Sequence, residues 1–265
     1  MTKRTALITG ASSGIGEAFS DVFASEGFDL VITARREDRL RTVAARLEQQ
    51  HHARVHVIVE DLSDPDGPAR LCAEVAARGI TIDALVNNAG YGVTGVYTST
   101  DWPAHAAFLQ IMVVAVAELT HRLLPGMIDR GYGRIVNVAS LAGLAPAPAG
   151  HTLYAASKAF VIKFSEALAN EVMKHGVHVT ALCPGFTLSE FHDVTGTRAK
   201  VSKIPRFLWM DAPTVARQGF AAVMEGIPIY VNGHANRVIA MLVRYLPYRL
   251  LVVGARLTAG SYRKT

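Results

Sequence analysis

The stretch Ala6-Leu7-Ile8-Thr9-Gly10-Ala11-Ser12-Ser13-Gly14-Ile15-Gly16 carries the reading of the fold. Its first four residues form a short apolar run, as expected of a parallel strand buried on both faces. Glycines follow at once, and Glu17 to Ala24 takes up helical spacing. Strand, glycine turn and helix in that order make a cradle for an anion. Gly10 allows the tight turn. Gly14 and Gly16 let backbone approach a pyrophosphate at the helix N-terminus, where free N–H groups and the helix dipole favour negative charge. Ser12, Ser13 and Ile15 belong to the same turn. The spacing is Gly-x-x-x-Gly-x-Gly rather than Gly-x-Gly-x-x-Gly.

Further strands follow at intervals suited to crossover helices. Asp29 to Thr33 ends in Ala34-Arg35-Arg36, where an acid would accept from a ribose and repel a 2′-phosphate. Two arginines there suit a grip on that phosphate by forked donors, so NADP(H) is favoured, with NAD(H) the alternative. Arg54 to Val59 ends at Glu60-Asp61-Leu62, and Asp61 is a candidate acceptor for an adenine amino group or a cap for the next turn. Ala84 to Val86 runs into Asn87-Asn88-Ala89-Gly90, whose amides and small residues suit a wall against adenosine. Strand and helix alternate to about residue 185, which argues for a parallel sheet covered on both faces.

The second chemical feature is Tyr154-Ala155-Ala156-Ser157-Lys158, with Ser140 fourteen residues upstream. Four residues apart on a helix, the phenol and the ammonium share one face. Ionising a phenol of pKa near ~10 at neutral pH costs about 4 kcal/mol, and a neighbouring ammonium is expected to lower that cost. Small residues between them leave room for a reacting carbon. This is the pattern of a proton-transfer site.

With the glycine turn, Asn87-Asn88-Ala89-Gly90, Ser140 and Tyr-x-x-x-Lys in this order, the chain resembles the short-chain dehydrogenases/reductases over about residues 5–230. The resemblance implies a single-domain α/β fold, a Rossmann-type doubly wound parallel sheet with helices on both faces. It implies carbonyl–alcohol oxidoreduction with a nicotinamide cofactor. Ser140 would polarise the substrate oxygen. Tyr154 would be the acid in reduction and the base in oxidation, and Lys158 would contact the nicotinamide ribose and support the tyrosine. Ser13, Gly14, Ile15 and Gly16 would contact phosphate, and Asn88 adenosine. Pro184, Gly185 and Thr187 of Cys183-Pro184-Gly185-Phe186-Thr187 would meet the nicotinamide end. Where the family often has an asparagine that completes a water-linked tetrad, this chain has Met112, two residues after Gln110. A methionine gives that water no comparable hydrogen bond, so proton relay would be slower or follow another route. The rival reading is a cofactor-sensing regulator without turnover. Met112 favours it, and retention of Ser140 and Tyr154 argues against it.

At 265 residues, half of them hydrophobic, the chain suits one α/β domain with a large core. Its net charge is +5, its basic residues are scattered along the chain, and no nucleic-acid motif accompanies them. Cys72 and Cys183 offer no disulfide framework and no metal-type partners, which with the missing secretory signal makes the cytoplasm the expected location. His51-His52 reads as a solvated pair, and His151 as a residue at the substrate mouth.

Trp102 to Met127 reads as one long buried helix. In the resembled family it and the helix of Tyr154 commonly form a subunit interface, implying a homodimer or homotetramer. The catalytic domain is expected over 1–233, with an aromatic-bearing substrate lid at 188–212. Residues 234–265 form an apolar, basic extension that packs on the domain, covers a partner subunit or lies on a membrane surface. Arg244, Pro247 and Arg249 divide its apolar runs, so it does not span a bilayer.

Overall fold

The computed structural model describes residues 3–93, 95–147, 149–150, 152–188, 205–247, 249 and 251. Most of the expected lid (189–204), His151 and the end of the extension (252–265) lie outside the described residues.

Strands β1 (Thr5–Thr9), β2 (Asp29–Ala34), β3 (Val55–Val59), β4 (Ala84–Asn87), β5 (Gly133–Val138), β6 (Val177–Cys183) and β9 (Ile229–Val231) form one sheet in the order β3-β2-β1-β4-β5-β6-β9. Every neighbouring pair is parallel. A small second sheet pairs β7 (Phe186–Leu188) with β8 (Trp209–Asp211). Chain order runs outward from β1 through β2 to β3, then jumps to β4 on the other side. That reversal makes a crevice beyond the carboxyl ends of β1 and β4, where ligands of such sheets bind. The expected α/β fold is therefore observed, with β3 starting at Val55 rather than Arg54.

The strands carry continuous apolar runs because both faces are covered. Ala6 and Ile8 of β1 face one layer, with Phe19 and Phe23 of α1 (Gly14–Ser25), Leu40 and Leu47 of α2 (Glu37–His51), and Val215 and Val223 of α7 (Ala212–Met224). Leu7, between them, faces the other layer, with Leu71 and Val75 of α3 (Gly67–Ala77), Leu119 of α5 (Ala115–Asp129) and Leu168 of α6 (Thr152–Val172). Each fully buried Val, Leu, Ile or Phe side chain among these contributes roughly 1.5–3 kcal/mol.

The long helix expected from Trp102 is interrupted. α4 (Trp102–Leu109) starts on an Asp101 cap, which accepts from the Ala104 amide at 3.1 Å, and α5 follows only after a π-turn over Gln110–Val114. The stretch is also not buried throughout, since Trp102 is 64% and Val114 45% exposed while Phe108 and Met112 sit in the core. Trp102–Asp129 has the length and apolarity of a membrane span, and the face carrying Phe108, Met112, Ala115 and Leu119 is instead packed in the core layer with Leu7 and Leu85 of the sheet. The last described helix is α8 (His234–Tyr245).

A polar network crosses the apolar layer. Asn87 Nδ2 donates to Asn137 Oδ1 at 2.8 Å and to Thr120 Oγ1 at 3.2 Å, and Asn137 Nδ2 donates to Ser165 Oγ at 2.9 Å. It joins β4, β5, α5 and α6, the helix that carries Tyr154 and Lys158. Buried donors left without acceptors cost far more than the net worth of a satisfied bond. Asn137→Ala is expected to lower unfolding free energy by about 1–3 kcal/mol in urea titrations, at an unchanged m-value.

Candidate active site

The glycine turn is closed by contacts from β4. Thr9 Oγ1 donates to the Val86 carbonyl at 3.1 Å and accepts from the amides of Asn88 at 2.9 Å and Ala89 at 3.0 Å. Asn88 Nδ2 in turn donates to the carbonyls of Thr9 at 3.0 Å and Gly10 at 3.3 Å. The Nδ2 of Asn88 is thus engaged with the turn itself. Gly10 and Gly14 have φ of 66° and 60°, the left-handed region that glycine enters without penalty. A Cβ on Gly16 would stand 2.3 Å from the Gly10 carbonyl and 2.5 Å from Asn88 Nδ2. These close approaches bring the first amides of α1 against the crevice, a cradle that fits the pyrophosphate of a dinucleotide.

The two arginines after β2 take different places. Arg36 reaches back to the turn, donating from Nη2 to Ser12 Oγ at 3.0 Å and to Ser13 Oγ at 2.9 Å. Arg35 lies toward β3, with Nη1 3.8 Å from Asp61 Oδ2. Asp61 Oδ1 accepts from the amide of Ser63 at 2.9 Å and its hydroxyl at 2.6 Å, so the capping role is realised alongside. Leu62 is buried in the core and leaves only backbone for a ligand. Ala89 and Gly90 continue the wall. Gly90 lies so close to Met112 that a Cβ there would be 2.5 Å from the methionine sulfur. Met112 is 2% exposed and packs with Phe108 and Ile111.

Ser140 follows β5 in extended conformation, and its Oγ accepts from the Ala142 amide at 3.1 Å. This turn lies on α6 because Gly143 has no side chain. A Cβ there would be 2.7 Å from the Lys158 carbonyl carbon and 2.8 Å from the Ala159 nitrogen. Tyr154 and Lys158 share one face of α6, with Lys158 Nζ 5.9 Å from the centre of the Tyr154 ring. Lys158 is 8% exposed, and its Nζ donates to the Val138 carbonyl at 2.7 Å. The structure therefore brings Ser140, Tyr154 and Lys158 together at the carboxyl end of β5.

The electrostatics differ from the expectation. Burial raises the Tyr154 phenol above its ordinary pKa, and only the hydrogen bond with Ser140 acts the other way. Burial also lowers Lys158 to about 8, with nearby Cys183 opposing the shift. A desolvated ammonium held by a carbonyl does not bring the phenol down, so the tyrosine rests protonated, as an acid. Neither thiol competes as a nucleophile, because burial pushes Cys183 up to about 12 and Cys72 up to about 11. Among the described residues no group of His, Cys, Asp and Glu has the arrangement of a metal site.

The Pro184-Gly185-Thr187 turn follows β6 beside this trio. Thr187, 5% exposed, donates from its hydroxyl to the Gly185 carbonyl at 3.2 Å. Gly185 is covered by Asn236 of α8, whose side-chain N and O would each lie 2.5 Å from a Cβ on that glycine. Asn236 is 3% exposed, and its Nδ2 donates to the Asn232 carbonyl at 2.9 Å. Gly143 and Asn236 thus shape the site without any local motif to mark them.

Comparison with known proteins agrees with this geometry. Residues 4–199 match the family model described as short chain dehydrogenase. An uncharacterised oxidoreductase of Staphylococcus saprophyticus is 34% identical over 231 residues, covering 86% of this chain and 94% of that protein. A sulfoacetaldehyde reductase of Chromohalobacter salexigens is 40% identical over 187 residues, 70% of this chain and 73% of its own length. A solved short-chain dehydrogenase of Sphingobium yanoikuyae in complex with NADPH superposes with a TM-score of 0.81 at 29% identity, covering 92% of this chain and 96% of that one.

The buried lysine gives a signed dependence on pH. Below about 8, Lys158 is charged in the folded and unfolded chain alike, and the fold bears the whole burial cost. As pH rises from about 8 toward the ordinary 10.5, the folded chain loses this proton first and the cost is relieved. Lys158→Met is expected to raise Tm at pH 7 by about 2–4 °C, with the gain shrinking across that window in calorimetric scans.

Proposed function

This chain is a member of the short-chain dehydrogenase/reductase family of oxidoreductases, and from that premise we propose that it interconverts a carbonyl and the corresponding alcohol with NADP(H). The observation that carries the reading is the convergence of Ser140, protonated Tyr154 and buried Lys158 beyond the strand ends that hold the glycine cradle. The dinucleotide, when bound, supplies or accepts the hydride. Gly10, Gly14, Ile15 and Gly16 hold its pyrophosphate, Asp61, Leu62, Asn88, Ala89 and Gly90 wall its adenosine, and Pro184, Gly185 and Thr187 seat its far end.

In the reductive direction the Ser140 hydroxyl donates to the carbonyl oxygen and fixes its position. The Tyr154 hydroxyl gives its proton to that oxygen as negative charge develops there. The phenol is uncharged at rest and needs no prior ionisation to act as this acid. Lys158 holds the ribose and supports the tyrosine in the state that follows. Most of the acceleration comes from orientation and from charges fixed in advance. Met112 contributes no hydrogen bond to this relay, so protons reach Tyr154 by a route that bypasses it.

Preference for the 2′-phosphate rests on Arg36, already held against Ser12 and Ser13, with Arg35 beside Asp61 as the outer contact. The NADPH complex of the Sphingobium yanoikuyae relative supports this choice. The family commonly assembles into homo-oligomers, and exposed Val114 and Phe160 on the two helices concerned suit such an interface.

A panel of ketones, aldehydes and secondary alcohols, followed at the reduced-nicotinamide absorbance band, identifies the substrate class. Tight NADPH binding without turnover on any of them would select the sensor reading instead. With an active substrate, Tyr154→Phe is expected to lower kcat about 10³-fold and leave cofactor Kd nearly unchanged. Arg36→Ala is expected to weaken NADPH by about 10- to 100-fold and NADH little. The same titration on Arg35→Ala should show the smaller NADPH loss.

A further inference from the structure

Helix α8 turns its inner face, with Asn236 and Val243, onto the protein. Its outer face is apolar. Val238, Met241, Leu242, Tyr245 and Leu246 are 51%, 54%, 47%, 75% and 42% exposed. Spacing of three and four residues puts the first four on one stripe directed away from the domain, and Leu246 follows at the helix C-cap. A contiguous exposed stripe of this kind marks a contact surface, whereas single exposed apolar residues are ordinary.

Charge identifies what it contacts. From Gly226 to Thr265 the sequence contains no Asp or Glu, but it contains Arg237, Arg244, Arg249, Arg256, Arg263 and Lys264. Arg237 and Arg244 flank the stripe on one side of α8 and are exposed. Arg237 is anchored there by donating to the Val231 carbonyl at 3.0 Å and to the Tyr230 hydroxyl. Arg244 lies over Tyr245, with 5.8 Å from guanidinium to ring centre. A second copy docking by two-fold symmetry would set these cations against their own equivalents, with no acid nearby in sequence to offset them. An anionic lipid surface offers the complementary charge and a place for the apolar side chains. The twelve residues of α8 are too short to span a bilayer, which needs about 20, so the helix lies in the interface plane.

We infer that α8 is a peripheral docking helix for anionic membranes, inserting Val238, Met241, Leu242, Tyr245 and Leu246 between headgroups while Arg237 and Arg244 meet lipid phosphate or carboxylate. The surface is separate from the catalytic trio and does not depend on the proposed reaction.

The test is flotation of the full chain with phosphatidylcholine vesicles, with and without phosphatidylserine, alongside light-scattering mass measurements. Binding should require phosphatidylserine and weaken as salt is raised. Met241→Glu/Leu242→Glu should lower vesicle partition by about tenfold or more, and Arg244→Ala by about fivefold. NADPH binding should stay intact in both variants, showing that they fold. Absence of binding to anionic vesicles, or binding unaffected by the double substitution, overturns the inference. So does a drop in particle mass in the double variant, which would assign the stripe to a second copy.

Discussion

The hydrogen bonds between Thr9 and Asn88 hold together two strand ends that the chain reaches seventy-nine residues apart. β1 and β4 are paired neighbours across the reversal of strand order, and this short bridge ties their ends together at the glycine turn. Because Thr9 Oγ1 serves two amides, the backbone after β4 has one direction to leave in. Gly16 then packs under the Gly10 carbonyl and Asn88 amide, which fixes where α1 begins. The anion cradle, the wall at Ala89 and Gly90, and the position of Met112 behind that wall follow from the bridge.

At the other end of the crevice the governing term is burial. A phenol and an ammonium four residues apart suggest a simple pair in which the cation makes the phenol acidic. Folding places both in low dielectric, where each resists its charged form. The lysine donates to the Val138 carbonyl but stays burdened by its burial, leaving Tyr154 governed by Ser140 and by its surroundings. A site arranged in this way has its proton in place before any substrate arrives.

Much of this was legible in the residues. The apolar run from Ala6 to Thr9 with glycines directly after it has one common structural meaning, and Ser140, Tyr154 and Lys158 were identifiable by order and spacing. What stayed hidden depends on contacts between distant segments. Arg35 and Arg36 read as a matched pair, yet adjacent residues at a strand end point to opposite sides, so one meets Ser12 and the other Asp61. Gly143 looks like any loop glycine until α6 is laid against it. Asn236 carries no motif, because its role is set by Gly185, fifty-one residues earlier. The apolar run from Trp102 gave a helix but not its interruption, since composition does not record which turn widens.

That interruption has a bearing on how the chain tolerates changes of length. A π-turn is an α-helix carrying one surplus residue. Loss of one residue within Gln110–Val114 would let the turn relax to ordinary α geometry, with Phe108 and Leu119 still seated beneath the sheet. Loss of one residue elsewhere between Trp102 and Asp129 would rotate one part of the helix against the other by about 100°, turning a core side chain toward solvent. A one-residue deletion in this region is therefore expected to be tolerated only in the segment that walls the crevice at Gly90.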